Sequence, residues 1–328
     1  MVTSALVSRL ASGVPLTVPP GVVDVALAAP PNPPEQVQVQ FVGQSFERAY
    51  AEAEAFVTAV GEALRALGHP GLAGSRVLDL GSGWGRISRV LLTEVSPTAL
   101  FAADVDPEMT ALVNVSLPGI NALTVAPVPP TVLADGSMDV AVAFSVFSHL
   151  SGPAHAAWAR ELARLVRPGG VVVITVIGEE FLDLVEGSQA AVAGGDSDGF
   201  TASVAAVFPD VAAVRARFRA DEVQFGATGG GGVRTRDYYG WAVASRRAVE
   251  RIWGDAGLDL FCWRPTGEPI SQALAVLVRT ERRPVAQAGR RARRSLRHAV
   301  GRSGDRLRAR VPRPVRAVVR RVRRPRQL

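Results

Sequence analysis

Between Phe46 and Leu67 the positions Phe46, Tyr50, Ala53, Val57, Val60, Leu64 and Leu67 recur at steps of four and three. That spacing predicts an amphipathic helix with one buried face, ended by Gly68 and Pro70. Residues 76–80 then form a short apolar run of strand length, followed at once by the turn 81–85 and helical spacing to about residue 93. Further strands are expected at 100–105, 121–125, 139–146 and 171–177. A helix over 153–166 carries Ala157, Leu162, Leu165 and Val166 and stops at Arg167-Pro168-Gly169-Gly170. After residue 178 the pattern breaks into a long segment with glycine clusters at 194–199 and 229–232, and it resumes with a helix over 245–256 and strands at 258–263 and 274–278. Regular alternation of strand and helix predicts the α/β class, a largely parallel sheet with helices on both faces.

Composition adds boundaries to this pattern. Residues 1–36, with Pro30-Pro31 and Pro33-Pro34, read as an extended leader. The α/β domain then spans 37–281, with 178–244 as an insertion on the substrate side whose glycine clusters are either hinges of a cover or plain loops. The hydrophobic share of 48% is enough for a large core and excludes a wholly disordered chain. No apolar run approaches the roughly 18–20 residues that cross a bilayer. Arg9, Pro15, Pro19 and Pro20 interrupt the start, so a cleavable signal is not expected and the chain reads as cytoplasmic. The single cysteine, Cys262, excludes an internal disulfide framework and a cysteine-built metal site.

Charge divides the chain in two. Every basic residue is arginine; 18 arginines against one acid, Asp305, give residues 282–328 a charge of +17, while 19 arginines and 29 acids give residues 1–281 a charge of −10. The tail has apolar stripes at Ala288, Ala292, Leu296 and Val300 and at Val311, Val315, Val318 and Val322. A basic amphipathic segment lying on an anionic membrane surface is the reading taken, with peripheral placement at the membrane's inner face. Nucleic-acid contact and a solvated extension are the alternatives.

The turn at 81–85 carries the chemistry. A strand ending in Asp79, then Gly81-Ser82-Gly83-Trp84-Gly85, then a helix, places unpaired N–H groups at the carboxyl edge of the sheet. The spacing is G-x-G-x-G rather than the G-x-G-x-x-G that seats a pyrophosphate. Asp79 would repel a diphosphate but pair with a cation, and Asp104 ends the next strand, where a carboxylate can grip a ribose diol. A ligand with a ribose, no phosphate and a cationic amino-acid end fits, and S-adenosylmethionine is such a ligand.

Four stretches in order carry a family resemblance: V-L-D-L-G-S-G-W-G-R (77–86), A-D-V-D-P-E-M (103–109), L-A-D-G-S-M-D-V-A-V-A-F-S-V-F-S-H-L (133–150) and E-L-A-R-L-V-R-P-G-G-V-V-V-I-T (161–175). Together they resemble class I S-adenosylmethionine-dependent methyltransferases. The resemblance implies a Rossmann-like fold with a seven-stranded, mainly parallel sheet and a terminal antiparallel hairpin. It also implies S-adenosylmethionine as cofactor, the loop Gly81, Ser82, Gly83, Trp84, Gly85 around its methionine part, and Asp79 near its ammonium. Asp104 would take the ribose hydroxyls, with Val105 beside the adenine and Phe144 and Ser145 lining the pocket. Many relatives carry an acid after the third strand, where this chain has Ala126-Pro127-Val128-Pro129-Pro130, so backbone near Pro127 and Val128 would serve instead.

Methyl transfer to a hydroxyl needs a base. His149, three residues past the fourth strand, is the first candidate, and a helix-capping histidine is the structural alternative. Glu179 and Glu180, just past the fifth strand, come next, and Tyr238 and Tyr239 could line an acceptor pocket. Asp106 is expected to cap the helix after Pro107. No N-P-P-Y or D-P-P-Y follows the fourth strand, no His/Asp/Glu group has metal-ligand spacing and no G-x-S-x-G elbow surrounds Ser145 or Ser148. The expected activity is methylation, on oxygen, of a small-molecule or glycan acceptor. The glycan option rests on the likeness of the G-W-G-R turn to bacterial methyltransferases of surface-polysaccharide pathways. An RNA methyltransferase guided by the tail and a non-catalytic partner that keeps the donor pocket are the alternatives.

Overall fold

A computed structural model of the protein describes residues 5–12, 32–195 and 198–280. These residues belong to one compact unit, and the arginine-rich tail read as a membrane or nucleic-acid segment lies outside them. In chain order, α1 (Ala5–Ala11), α2 (Glu35–Val42) and α3 (Phe46–Ala66) precede the sheet. Strand and helix then alternate as β1 (Val77–Leu80), α4 (Arg86–Leu91), β2 (Leu100–Asp104), α5 (Pro107–Ser116), β3 (Asn121–Thr124), β4 (Met138–Ala143), α6 (Gly152–Leu165) and β5 (Val166–Val176). The insertion supplies α7 (Glu180–Ala193), α8 (Gly199–Ala205), α9 (Val211–Arg219), β6 (Gln224–Gly226) and β7 (Trp241–Val243). Finally α10 (Arg246–Ala256) leads into β8 (Leu258–Arg264) and β9 (Ala273–Arg279).

Seven strands form one sheet in the order β3-β2-β1-β4-β5-β9-β8. The first five are mutually parallel, and β9 runs antiparallel to both β5 and β8. The α/β reading, the seven strands and the terminal hairpin therefore stand. Alternate side chains of a strand point to opposite faces, and the apolar residues divide accordingly. Val140, Val142, Val171 and Val173 pack with α3, α4 and α5. Ala141, Ala143, Val172 and Ile174 pack with α6 and α10. A smaller apolar cluster joins α7, α8 and α9.

Two sequence expectations change. The segment read as an extended leader contains α1, whose Val7 and Leu10 are buried against α3. The turn expected at 167–170 is counted within β5, because β4 and β5 shift register between Met138 and Val140 and the chain bulges there without leaving the sheet. Among the described residues no helix is long and apolar enough to cross a membrane.

The carboxyl ends of β1, β2, β4 and β5 open at one edge, and the chain leaving β5 returns there. Residues 238–244 run alongside 148–151: Ser151 N–H donates to Tyr238 O at 2.9 Å, Gly240 N–H to His149 O at 2.9 Å and Ala242 N–H to Ser148 O at 2.8 Å. This return strand closes the site described below.

Beneath that edge, His155 of α6 is fully buried, and its Nε2 accepts the Trp253 indole N–H at 3.0 Å. Burial pushes its pKa from 6.5 down to about 3. Between those values the unfolded chain binds a proton that the folded chain refuses. Stability is thus fully present above pH 6.5 and declines as pH falls. We expect wild type to lose about 2–3 kcal/mol more than His155→Gln between pH 7 and 4.5 in urea melts. Parallel losses would show that His155 does not set the acid sensitivity.

Candidate functional site

The glycine turn is fixed by the strand beside it. Gly81 and Ser82 N–H groups both donate to Ala103 O, at 2.7 and 3.1 Å, and Gly83 N–H donates to Asp104 Oδ2 at 2.8 Å. Gly81 sits at φ +72°, and a Cβ there would collide with Val146 Cγ2, so a side chain is disfavoured by conformation and by space. Gly85, at φ +86°, begins α4 against Leu117 and Val113 and is a packing residue rather than part of the cavity wall. Trp84 is buried edge-on against Tyr50 at 5.6 Å, as a wall residue.

Above this turn lies a cavity of about 700 Å³, within the usual range for small-molecule sites. Gly81, Ser82, Gly83, Trp84, Asp104, Val105, Phe144, Ser145 and His149 all line it, so the fold brings most of the predicted site residues to one place. Asp104 turns both oxygens to backbone, with Oδ1 accepting Asp106 N–H at 2.9 Å, which leaves each oxygen a further lone pair. Burial raises its pKa, opposed by those two N–H groups. Ser82 Oγ, Trp84 Nε1 and Arg234 Nε are buried without protein partners, all on residues of the cavity wall. On a cavity wall, buried polar atoms in that state are open to a hydrogen bond from whatever fills the cavity.

Besides Gly85, three more predicted residues fall elsewhere. Asp79 is 1% exposed and does not line the cavity; Ser88 Oγ donates to its Oδ2 at 2.6 Å, and burial pushes its pKa up to about 6. It braces the turn from beneath and does not face a ligand's ammonium. Val128 is 52% exposed and outside the wall. The Pro127 carbonyl beside it is taken by the Trp158 indole N–H at 2.9 Å, because this loop packs down onto α6. Glu179 also lies outside the wall, paired with Arg215 at 3.2 Å and Arg219 at 2.9 Å of α9. Its neighbour Glu180 does reach the cavity, with Oε1 accepting the Thr266 hydroxyl at 2.5 Å. Asp106 caps α5 as expected, accepting Glu108 N–H at 3.0 Å.

The wall also holds residues to which the motifs gave no role. Glu52 of α3 and Arg86 at the start of α4 form an ion pair at 2.8 Å, each side chain 6% exposed. Arg86 also lies over the Phe144 ring at 4.9 Å. This pair presents one charge of each sign beside the glycine turn, a match for a zwitterionic amino-acid end. Its signal in the sequence is Glu52 itself, an acid among the buried positions of an amphipathic helix. Arg234, between Phe41 at 4.5 Å and Asp106 at 3.4 Å, comes from the glycine-rich segment and has no such signal.

On the opposite side, His149 is held from several directions. Its Nδ1 lies 2.7 Å from Gly240 O. A carbonyl only accepts, so Nδ1 carries the proton and Nε2 keeps a bare lone pair. The ring stacks on Tyr239, with centroids 5.0 Å apart at 8°, and is tilted against Trp241 at 4.9 Å. Burial lowers its pKa below 6.5, partly offset by the Gly240 carbonyl and reinforced by Arg234. Tyr238 also lines the cavity, yet burial drives its phenol up to about 12, away from a base's working range. Ser145 adopts φ +58°, held by its N–H to Thr175 Oγ1 at 2.7 Å and by the Gln272 amide to its hydroxyl at 2.8 Å. Positive φ in a non-glycine residue, held from two sides, is a form of strain that clusters at functional sites.

Residues 78–174 match the family described as "Methyltransferase domain". No curated protein matches the chain by sequence. Among solved structures, a protein from Pyrococcus horikoshii OT3 is 13% identical and is covered over 96% of its length and 74% of this chain, at a TM-score of 0.50. The 1,6-didemethyltoxoflavin-N1-methyltransferase of Burkholderia thailandensis, solved with 1,6-didemethyltoxoflavin and S-adenosylhomocysteine, is 15% identical over 80% of its chain and 70% of this one, at a TM-score of 0.44. Magnesium protoporphyrin IX methyltransferase from Synechocystis PCC 6803, solved with S-adenosylhomocysteine, is 17% identical over 87% of its chain and 71% of this one, at a TM-score of 0.45.

The double constraint at Gly81 gives a direct test of the turn. Gly81→Ala is expected to destabilise the fold by about 2–4 kcal/mol, from left-handed strain plus overpacking against Val146. Adding Val146→Ala should recover only the overpacking share in urea melts. Full recovery would mean that the backbone angle carries no cost.

Proposed function

We propose that this chain, a class I S-adenosylmethionine-dependent methyltransferase, methylates a hydroxyl oxygen of a small-molecule acceptor, with His149 as the general base. The observation that carries the oxygen reading is the tautomer of His149: the Gly240 carbonyl 2.7 Å from Nδ1 keeps the proton there and leaves Nε2 free to accept one. When bound, S-adenosylmethionine supplies a methyl group on a positively charged sulfur, already activated for in-line displacement.

The chain's residues suit that group. The turn from Gly81 to Gly83 would hold the methionine end against backbone, with Glu52 and Arg86 offering the charges for its ammonium and carboxylate. Asp104 would accept from the ribose hydroxyls with the lone pairs that Gly83 and Asp106 leave open. Val105, Val125 and Pro127 offer apolar wall for a base, and the acidic contact common in relatives is replaced there by Trp158 holding Pro127. Residues 238–241 cover the acceptor side and would exclude water while aligning the nucleophile, which is the protein's main task in such a transfer.

His149→Ala is expected to lower kcat by roughly 10²–10⁴-fold with the Kd for S-adenosylhomocysteine unchanged. The lowered pKa of His149 places the acid limb of the wild-type rate profile below pH 6.5, and that limb should vanish in the variant. Asp104→Ala, in contrast, should weaken S-adenosylhomocysteine binding at least tenfold, the loss of about one strong hydrogen-bonding group. Titration calorimetry and a labelled-methyl assay check all three. A His149 variant with wild-type turnover removes the base.

A further inference from the structure

We propose that the acceptor is a planar aromatic hydroxyl compound, a phenol whose apolar remainder leaves the cavity past Leu184 and Phe200. This rests on the oxygen-methylation reading of the same site and goes further by naming the substrate class.

The acceptor half of the cavity is an aromatic wall. Tyr239, His149, Trp241 and Phe181 form a continuous run, the last two stacked at 4.7 Å and 19°. Tyr239 and Trp241 are two residues apart on the return strand, so both project to the same side and press on His149. Several polar groups on this side are engaged with the protein itself, while Gln272 Oε1 is left without a partner. Glu180 takes Gly178 N–H at 3.1 Å and the Thr266 hydroxyl, the Tyr238 hydroxyl donates to Val233 O at 3.0 Å, and the Gln272 amide donates to Ser145. A sugar seated here would turn several hydroxyls towards a wall that is mostly ring surface, and unpaired buried hydroxyls are costly. A flat ring meets faces and edges that suit it.

The rim continues the same chemistry outward. Leu184 of α7 and Phe200 of α8 line the cavity while remaining 47% and 60% exposed. They form an apolar lip continuous with the aromatic wall. A ligand that ended inside would leave this lip bare. A fused ring or an alkyl substituent would cover it.

The acidity of the nucleophile agrees. A phenol has a pKa of about 10, as tyrosine does, whereas an alkanol is nearer the roughly 15.7 of water. An imidazole with a lowered pKa is a weak base, and it is matched far better to the phenol. In the transfer the acceptor oxygen gains the methyl group as the carbon–sulfur bond breaks, its electron pair remaining on sulfur. The hydroxyl proton passes to His149 Nε2 and then to water.

The test measures binding apart from turnover, on the full chain saturated with S-adenosylhomocysteine. 2-Naphthol should bind at least tenfold more tightly than its saturated counterpart 2-decalol or than methyl β-D-glucopyranoside. Trp241→Ala should erase most of that preference. Phe200→Ala, at an exposed position where folding is not at stake, should weaken 2-naphthol about three- to tenfold with the S-adenosylhomocysteine Kd and Tm unchanged. Equal or tighter binding of decalol or the glucoside overturns the proposal, as does a Phe200→Ala variant that binds naphthol like wild type. Turnover separates the two levels. Methylation of the glucoside that depends on His149 leaves the oxygen reading standing and removes the aromatic class. Methylation of 2-naphthylamine in preference to 2-naphthol removes the oxygen reading and the phenol with it, even where the preference for flat rings holds.

Discussion

The site depends on the hydrogen bond from Gly83 N–H to the Asp104 carboxylate, 2.8 Å, backed by Gly81 and Ser82 donating to Ala103. This contact joins the turn after β1 to the end of β2. Because β1 and β2 are adjacent and parallel, both ends fall on the same edge of the sheet, and the turn has a partner whose position the sheet already sets. The carboxylate then does two jobs: it holds the turn in left-handed geometry and keeps lone pairs facing the cavity. Asp79 supports the same turn from below through Ser88. One carboxylate is therefore structural and the other faces the cavity, although their places in the sequence suggested a matched pair.

The second constraint is the return of the insertion. After β5 the chain builds α7, α8 and α9 as a separate apolar cluster, then comes back antiparallel to residues 148–151. That return sets the tautomer of His149 through Gly240 and brings Tyr239 and Trp241 against its ring. One half of the cavity is thus made by the sheet edge, and the other by a segment that the sheet does not dictate. Such a division lets one half stay fixed while the other varies between chains of the same fold.

Much of the fold was legible because strands buried on both faces read as continuous apolar runs and the helices between them keep a three–four spacing. The glycine turn, Asp104, Ser145 and His149 were legible because their chemistry follows from their place at strand ends. The remainder was not, for physical reasons. Adjacent Glu179 and Glu180 differ by about 100° around a helix start, and only the position of α9, with Arg215 and Arg219, decides which one faces the cavity. Val128 turns outward because Trp158 fastens Pro127 to α6, a long-range contact with no local signal. α1 is a seven-residue helix stabilised by packing on α3 rather than by its own propensity, which is too weak over that length to read. Glu52 could have been noticed as a charge on a buried helical face, but its partner Arg86 is fixed only by the meeting of α3 and α4.

The central claim is that this sheet edge holds a phosphate-free nucleoside with a charged amino-acid end. Titration calorimetry on the full chain with S-adenosylmethionine, and separately with NAD, tests it most directly. The account predicts saturable one-to-one binding of S-adenosylmethionine and no heat from NAD. Binding of the dinucleotide with none of S-adenosylmethionine would contradict it.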